Sequence, residues 1–133
     1  MPTFSKLNRL LKRPEFLRCY SAGKRCFTSS FIVFVLSTEG AAWRVGLAVS
    51  RKVGGAVQRN RVKRLLREFF RLNQHLLPAG VELAVVPKKG IRPDDLTYND
   101  VERELLSLVT GLFGRKLTSP VEIVAGRGSA GSA

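Results

Sequence analysis

Between residues 59 and 67 stand Arg59, Asn60, Arg61, Lys63, Arg64 and Arg67, and Arg71 follows one turn later. At about 100° per residue, Asn60, Lys63, Arg64, Arg67, Arg71 and Gln74 share one helix face. Val62, Leu65, Leu66, Phe69 and Leu72 share the other, which is a core stripe. Arg59 and Arg61 flank the two faces, and the one nearby acid, Glu68, falls outside the cationic row. Cations three and four residues apart on one face repel each other. A polyanion relieves that repulsion, and phosphates along a nucleic-acid backbone suit the spacing. Arg forks take phosphate oxygens bidentately, while the Asn60 amide can both donate and accept at a base edge or sugar hydroxyl. The chemistry expected of this row is recognition of a polyanion, not bond cleavage.

The rest of the composition agrees. The chain has 133 residues, 23 Lys+Arg, 10 Asp+Glu and a formal net charge of +13. Residues 1–71 hold 16 of the basic and 3 of the acidic side chains, whereas residues 72–133 are balanced. A one-sided excess asks for a partner of opposite sign. With 44% hydrophobic residues, a core for one domain is available and global disorder is excluded. The longest apolar run, residues 31–36, is too short to span a bilayer. The first 13 residues lack the uninterrupted apolar core of an export signal. A cytoplasmic location is therefore expected.

Residues for catalysis are sparse. His75 is the sole histidine, and no HExxH or paired-His pattern occurs. Cys19 and Cys26 form no CxxC pair and read as two reduced thiols. Asp94, Asp95, Asp100, Glu102 and Glu104 read as charge balancing a helix N-terminus rather than as a two-metal site. No catalytic residue and no metal ligand is assigned to the chain.

The elements that must position these residues follow from pattern. Residues 10–22 read as a helix with Pro14 in its first turn, Gly23 past its end, and Leu10, Leu11, Phe16, Leu17 and Tyr20 on its apolar side. Residues 26–36 read as a strand, Thr38, Glu39 and Gly40 as a turn, and residues 43–49 as a second strand, its hairpin partner. The basic helix spans 56–75 and is stopped by Pro78, Ala79 and Gly80. Residues 81–86 form a buried strand. Thr97 and Asp100 form a capping box ahead of a helix carrying Val101, Leu105, Leu108, Val109 and Leu112. The expected class is α+β, a single-domain sandwich in the order α-β-β-α-β-α with helices packed on a three- or four-stranded sheet. The domain is expected over residues 1–118. A Gly/Ser/Ala-rich tail is expected over 119–133, with residues 121–124 either a short edge strand or part of that tail.

The run Val53-Gly54-Gly55-Ala56-Val57-Gln58-Arg59-Asn60-Arg61-Val62-Lys63-Arg64-Leu65-Leu66-Arg67 resembles the signature of the bacterial ribonuclease P protein subunit. The preceding Val45-Gly46-Leu47-Ala48-Val49-Ser50-Arg51-Lys52 resembles the strand that enters that family's basic helix. Arg13-Pro14-Glu15-Phe16 with Tyr20 and Gly23, then Phe31 and Phe34, and later Leu96-Thr97-Tyr98, are similar to its first helix, first strand and last helix entry. The resemblance covers roughly residues 6–114.

That resemblance implies the small subunit of a ribonucleoprotein whose RNA removes the 5′ leader of precursor tRNA. It implies a left-handed βαβ crossover, where the general default is right-handed. It implies contact of Arg51, Lys52, Arg59, Asn60, Arg61, Lys63, Arg64, Arg67 and Arg71 with the catalytic RNA. It also implies a leader groove lined by Phe16, Tyr20, Phe31 and Phe34, where aromatic faces stack on bases with little sequence preference. Tyr20 stands where Phe is common, and Arg51 where Lys is frequent. Mg²⁺ is expected to be bound mainly by the RNA, and the protein to be a monomer, one per RNA. From the residues alone, a general structural RNA-binding protein, such as a ribosomal or assembly factor, is the main alternative. A double-stranded DNA binder and a protein-only nuclease are the others.

Overall fold

The computed structural model describes residues 8–10, 12–40 and 42–114. Along them run α1 (Arg13–Ala22), β1 (Lys24–Phe27), β2 (Phe31–Ser37), β3 (Arg44–Leu47), α2 (Ala56–Asn73), β4 (Val81–Pro87) and α3 (Tyr98–Val109). The four strands form one sheet in the order β1-β2-β4-β3. β1 pairs antiparallel with β2, β2 antiparallel with β4, and β3 parallel with β4. The α+β class and the single sheet with packed helices are as expected. The expected tail, with residues 121–124, lies outside the described residues.

Strand alternation divides the sheet into two faces. Phe31, Val33, Val45, Leu83 and Val85 point to one side and pack against Val62, Leu66, Phe69 and Phe70 of α2 and Val101, Leu105 and Val109 of α3. Ala84, Phe34 and Leu36 point to the other side and pack against Leu10, Phe16, Cys19 and Tyr20. The layers are therefore α1, sheet, and α2 with α3.

Three local expectations are corrected. The first helix begins at Arg13, not at residue 10. A proline ring clashes with the carbonyl four residues back, so Pro14 bars a helix that includes Leu10. Leu10 N–H instead donates to the Val45 carbonyl at 3.0 Å, which lays this stretch beside β3. The strand expected over 26–36 is two strands, so the order gains one β element. Thr28 and Ser30 break it: Glu104 of α3 accepts from Thr28 Oγ1, Ser30 N–H and Ser30 Oγ, each at 2.8 Å. Finally, β3 is not the hairpin partner of β2. β4 lies between them, because a strand apolar on both faces belongs in the middle of a sheet. Gly80 makes the tight entry to β4 at φ +82, where a β-carbon would stand 2.4 Å from the Thr38 carbonyl oxygen.

Candidate nucleic-acid interface

α2 is the crossover between the parallel neighbours β3 and β4, and its burial fixes which cations face outward. Val62, Leu66, Phe69 and Phe70 are buried. Leu72, expected in the stripe, is 42% exposed, so the core side of the helix is turned toward Phe70. Asn60, Arg64 and Arg67 are exposed on the opposite side, and Lys63 and Arg59 are half-buried beside them. Arg59 Nε is covered and has no acceptor among the described residues.

Two residues expected in the cationic interface are engaged within the fold. Arg61 donates from Nε to the Pro93 carbonyl at 2.9 Å and from Nη2 to the Leu96 carbonyl at 2.7 Å. It therefore ties α2 to the turn that precedes α3. Arg71 grips Glu68 through two hydrogen bonds of 3.1 and 2.6 Å. That hydrogen-bonded pair lowers the Glu68 pKa and raises that of Arg71. The acid that lies off the idealised row thus reaches it at its C-terminal end. Arg51 and Lys52 are exposed on the single turn Arg51–Val53, capped by Ser50 Oγ accepting from Lys52 N–H at 3.3 Å.

The aromatic set is brought together with one exception. Phe16 and Tyr20 lie one turn apart on α1 with ring centroids 6.4 Å apart. Tyr20 meets Phe34 of β2 edge-on at 4.9 Å. All three are half-buried. Phe31 is 0% exposed and faces α2 and α3, so it is removed from the groove. Residues three apart in a strand point to opposite faces. Burial holds the Tyr20 hydroxyl above its ordinary pKa, and the group stays a neutral phenol.

α1 is held on the sheet by a buried carboxylate. Glu82 of β4 is 4% exposed and accepts from Arg18 of α1 at 2.7 and 2.9 Å and from Arg44 of β3 at 3.3 Å. Arg44 also pairs with Glu15. Burial, with Glu82 nearby, pushes the Cys19 thiol up to about 11. Both cysteines are free.

Two of the acidic residues near α3, Asp100 and Glu104, do structural work. Thr97 Oγ1 accepts from Asp100 N–H at 3.2 Å, and Asp100 accepts from Thr97 N–H at 3.0 Å, which confirms the capping box. Glu104 lies mid-helix and anchors the hairpin turn, so it does not serve the N-terminal dipole. Among the described residues no three His, Cys, Asp or Glu gather as a metal site.

Phe27 is absent from the expected aromatic set. It is 59% exposed on β1, with the Arg25 guanidinium 5.8 Å and the Lys88 ammonium 5.5 Å from its ring centroid. The sequence signal is an Arg two residues away on the same strand face. Lys88 arrives only through the tertiary fold.

The fold is shared with known proteins. The family model described as Ribonuclease P matches residues 4–112. The chain belongs to the ribonuclease P protein family. The ribonuclease P protein component of Oleidesulfovibrio alaskensis is 55% identical over 104 residues, covering 77% of this chain and 83% of that protein. That of Maridesulfovibrio salexigens is 45% identical over 109 residues, covering 80% and 88%. The solved ribonuclease P protein of Thermotoga maritima superimposes with a TM-score of 0.70 at 32% identity, covering 77% of this chain and 96% of that one. As a ribonuclease P protein, the chain is a subunit of the tRNA-processing endoribonuclease and a partner of its RNA. The general structural RNA-binding reading has no support from these relatives.

Proposed function

We propose that this ribonuclease P protein uses its two surfaces on two different RNAs. Asn60, Lys63, Arg64 and Arg67, with Arg59 beside them, hold the catalytic RNA. The groove of Phe16, Tyr20 and Phe34 holds the single-stranded 5′ leader of precursor tRNA. Arg51 and Lys52 stand after β3, toward the start of α2, and offset phosphate charge there. The observation that carries this reading is the split between a phosphate-type face on α2 and a half-buried aromatic cluster on the opposite side of the sheet. Aromatic stacking tolerates any base, which suits a subunit that meets leaders of many sequences.

In this division of labour the RNA carries the chemistry, with Mg²⁺ bound mainly by it. The protein positions the leader and screens phosphate repulsion. It acts as one monomer per RNA, in the cytoplasm. The test is reconstitution with a bacterial ribonuclease P RNA at low Mg²⁺. Addition of the protein is expected to raise the rate of 5′ processing of precursor tRNA. A rate equal to that of RNA alone overturns the proposal, and cleavage by the protein alone replaces it with a protein-only nuclease.

A further inference from the structure

The open half of the sheet face beside α1 continues past Phe34. Arg25 of β1 is the cross-strand partner of Phe34, and Phe27 is the partner of Ile32. Ile32 in turn pairs with Val86 of β4. Directly paired residues of antiparallel strands share a face, and diagonal neighbours lie about 7–8 Å apart. Phe27 therefore stands one diagonal step from Phe34, at the β1 edge of the sheet. The residue is 59% exposed, an unusual position for a large apolar side chain. Lys88 follows β4, where its N–H donates to the Ser30 carbonyl at 2.8 Å, and this brings its ammonium to the same ring. Arg25 and Lys88 bring two cations to the ring, and Lys88 also lines the neighbouring hollow that holds Asp95, Asp100 and Glu104.

We propose that Phe27, Arg25 and Lys88 form a further subsite for single-stranded RNA, which takes one additional leader nucleotide beyond the Phe16, Tyr20 and Phe34 groove. The base takes the ring face that a cation now covers, and the Arg25 guanidinium and Lys88 ammonium turn to its phosphate. Charge decides the class of occupant: an aromatic ring bracketed by two cations suits a polyanion with π-faces. Continuity decides which strand: the patch extends the face that the groove occupies. Three inter-strand spacings carry a chain about 14 Å from β3 to the β1 edge. This subsite rests on the leader-groove reading above.

The experiment uses holoenzyme reconstituted with a bacterial ribonuclease P RNA and precursor tRNAs whose leaders are shortened one nucleotide at a time. The wild-type protein is expected to gain affinity with each nucleotide up to a plateau. In Phe27→Ala the plateau is expected one nucleotide earlier. The ratio of affinities for long- and short-leader precursors is expected to fall at least about fivefold, the lower end of what one stacked base contributes. Phe27→Tyr, which keeps the ring, is expected to restore it. An affinity series in Phe27→Ala that superimposes on wild type overturns the subsite while leaving the groove intact. A wild-type series with no length dependence overturns both. A wild-type protein that self-associates through Phe27, shown by sedimentation of both proteins, with unchanged leader dependence, assigns the patch to a second copy and overturns the subsite.

Discussion

Phe16 and Gly46 are fitted to each other across the α1–sheet interface: a β-carbon on Gly46 would stand 2.5 Å from both Cε1 and Cζ of the Phe16 ring. Only the missing side chain at the edge strand β3 lets α1 lower an aromatic ring onto the sheet. Gly46→Ala is expected to cost about 1–3 kcal/mol, the range for overpacking. Adding Phe16→Ala to it is expected to recover part of that loss, because the two residues share the contact. Chemical denaturation of both single variants and the double variant checks this. Strictly additive losses would refute the fit.

The two kinds of arginine on α2 separate in a similar way. Arg64 and Arg67 are exposed, whereas Arg61 donates to the carbonyls of Pro93 and Leu96. Arg64→Ala with Arg67→Ala is expected to change stability by no more than about 0.5 kcal/mol. The same pair of substitutions is expected to weaken binding to the catalytic RNA and reduce the slope of log affinity against log salt by about 1–2. Arg61→Ala is expected to show mainly a stability loss, about 1–3 kcal/mol, because it strands two carbonyls at the turn before α3. Filter-binding titrations at several salt concentrations decide the matter. An unchanged slope for the Arg64 and Arg67 variant removes α2 from the RNA interface.

Asp100 gives a pH dependence with a defined sign. Hydrogen bonds from the Thr97 backbone, then the Thr97 hydroxyl, then Arg103, hold its carboxyl below the usual value. A carboxyl depressed in the folded state stabilises fully above its unfolded pKa of about 4 and loses that contribution as pH falls through the folded value. The melting temperatures of wild type and Asp100→Asn are expected to differ at pH 6 and to converge toward pH 2. A constant offset across that range would show that the charge of Asp100 contributes nothing.

Cys19 supplies a chemical check on how α1 is seated. Its thiol is buried and pushed up to about 11. Thiol reagents act through the thiolate, so at pH 7 the folded protein is expected to be alkylated at Cys26 and not at Cys19. Mass spectrometry of peptides from protein labelled with and without denaturant reads this directly. Equal labelling of both cysteines in the folded protein would mean that α1 is not closed on the sheet.

Much of this was legible in residue pattern. The 3.6-residue period of α2 separates Val62 and Leu66 from Asn60, Arg64 and Arg67 without any tertiary knowledge. Thr97 and Asp100 announce the start of α3, and the apolar run of β4 announces a buried strand. What escapes pattern depends on partners distant in sequence. Glu104 breaks the strand at Thr28 and Ser30 from α3, and β4 inserts itself between β2 and β3. The Arg71–Glu68 pair is local, yet a wheel drawn by angle alone misses it because both side chains are long. Phe31 is a different case. Strand alternation suffices to place it opposite Phe34, although the family resemblance groups the two.

The central claim is that the aromatic groove recognises the leader and not the tRNA body. The most direct measurement is the affinity of reconstituted holoenzyme for precursor and mature tRNA, with wild-type protein and with Phe16→Ala. Removal of one stacking ring is expected to weaken precursor binding by about 1–3 kcal/mol, at least fivefold, while mature tRNA binds as before. Equal losses for the two RNAs would contradict it.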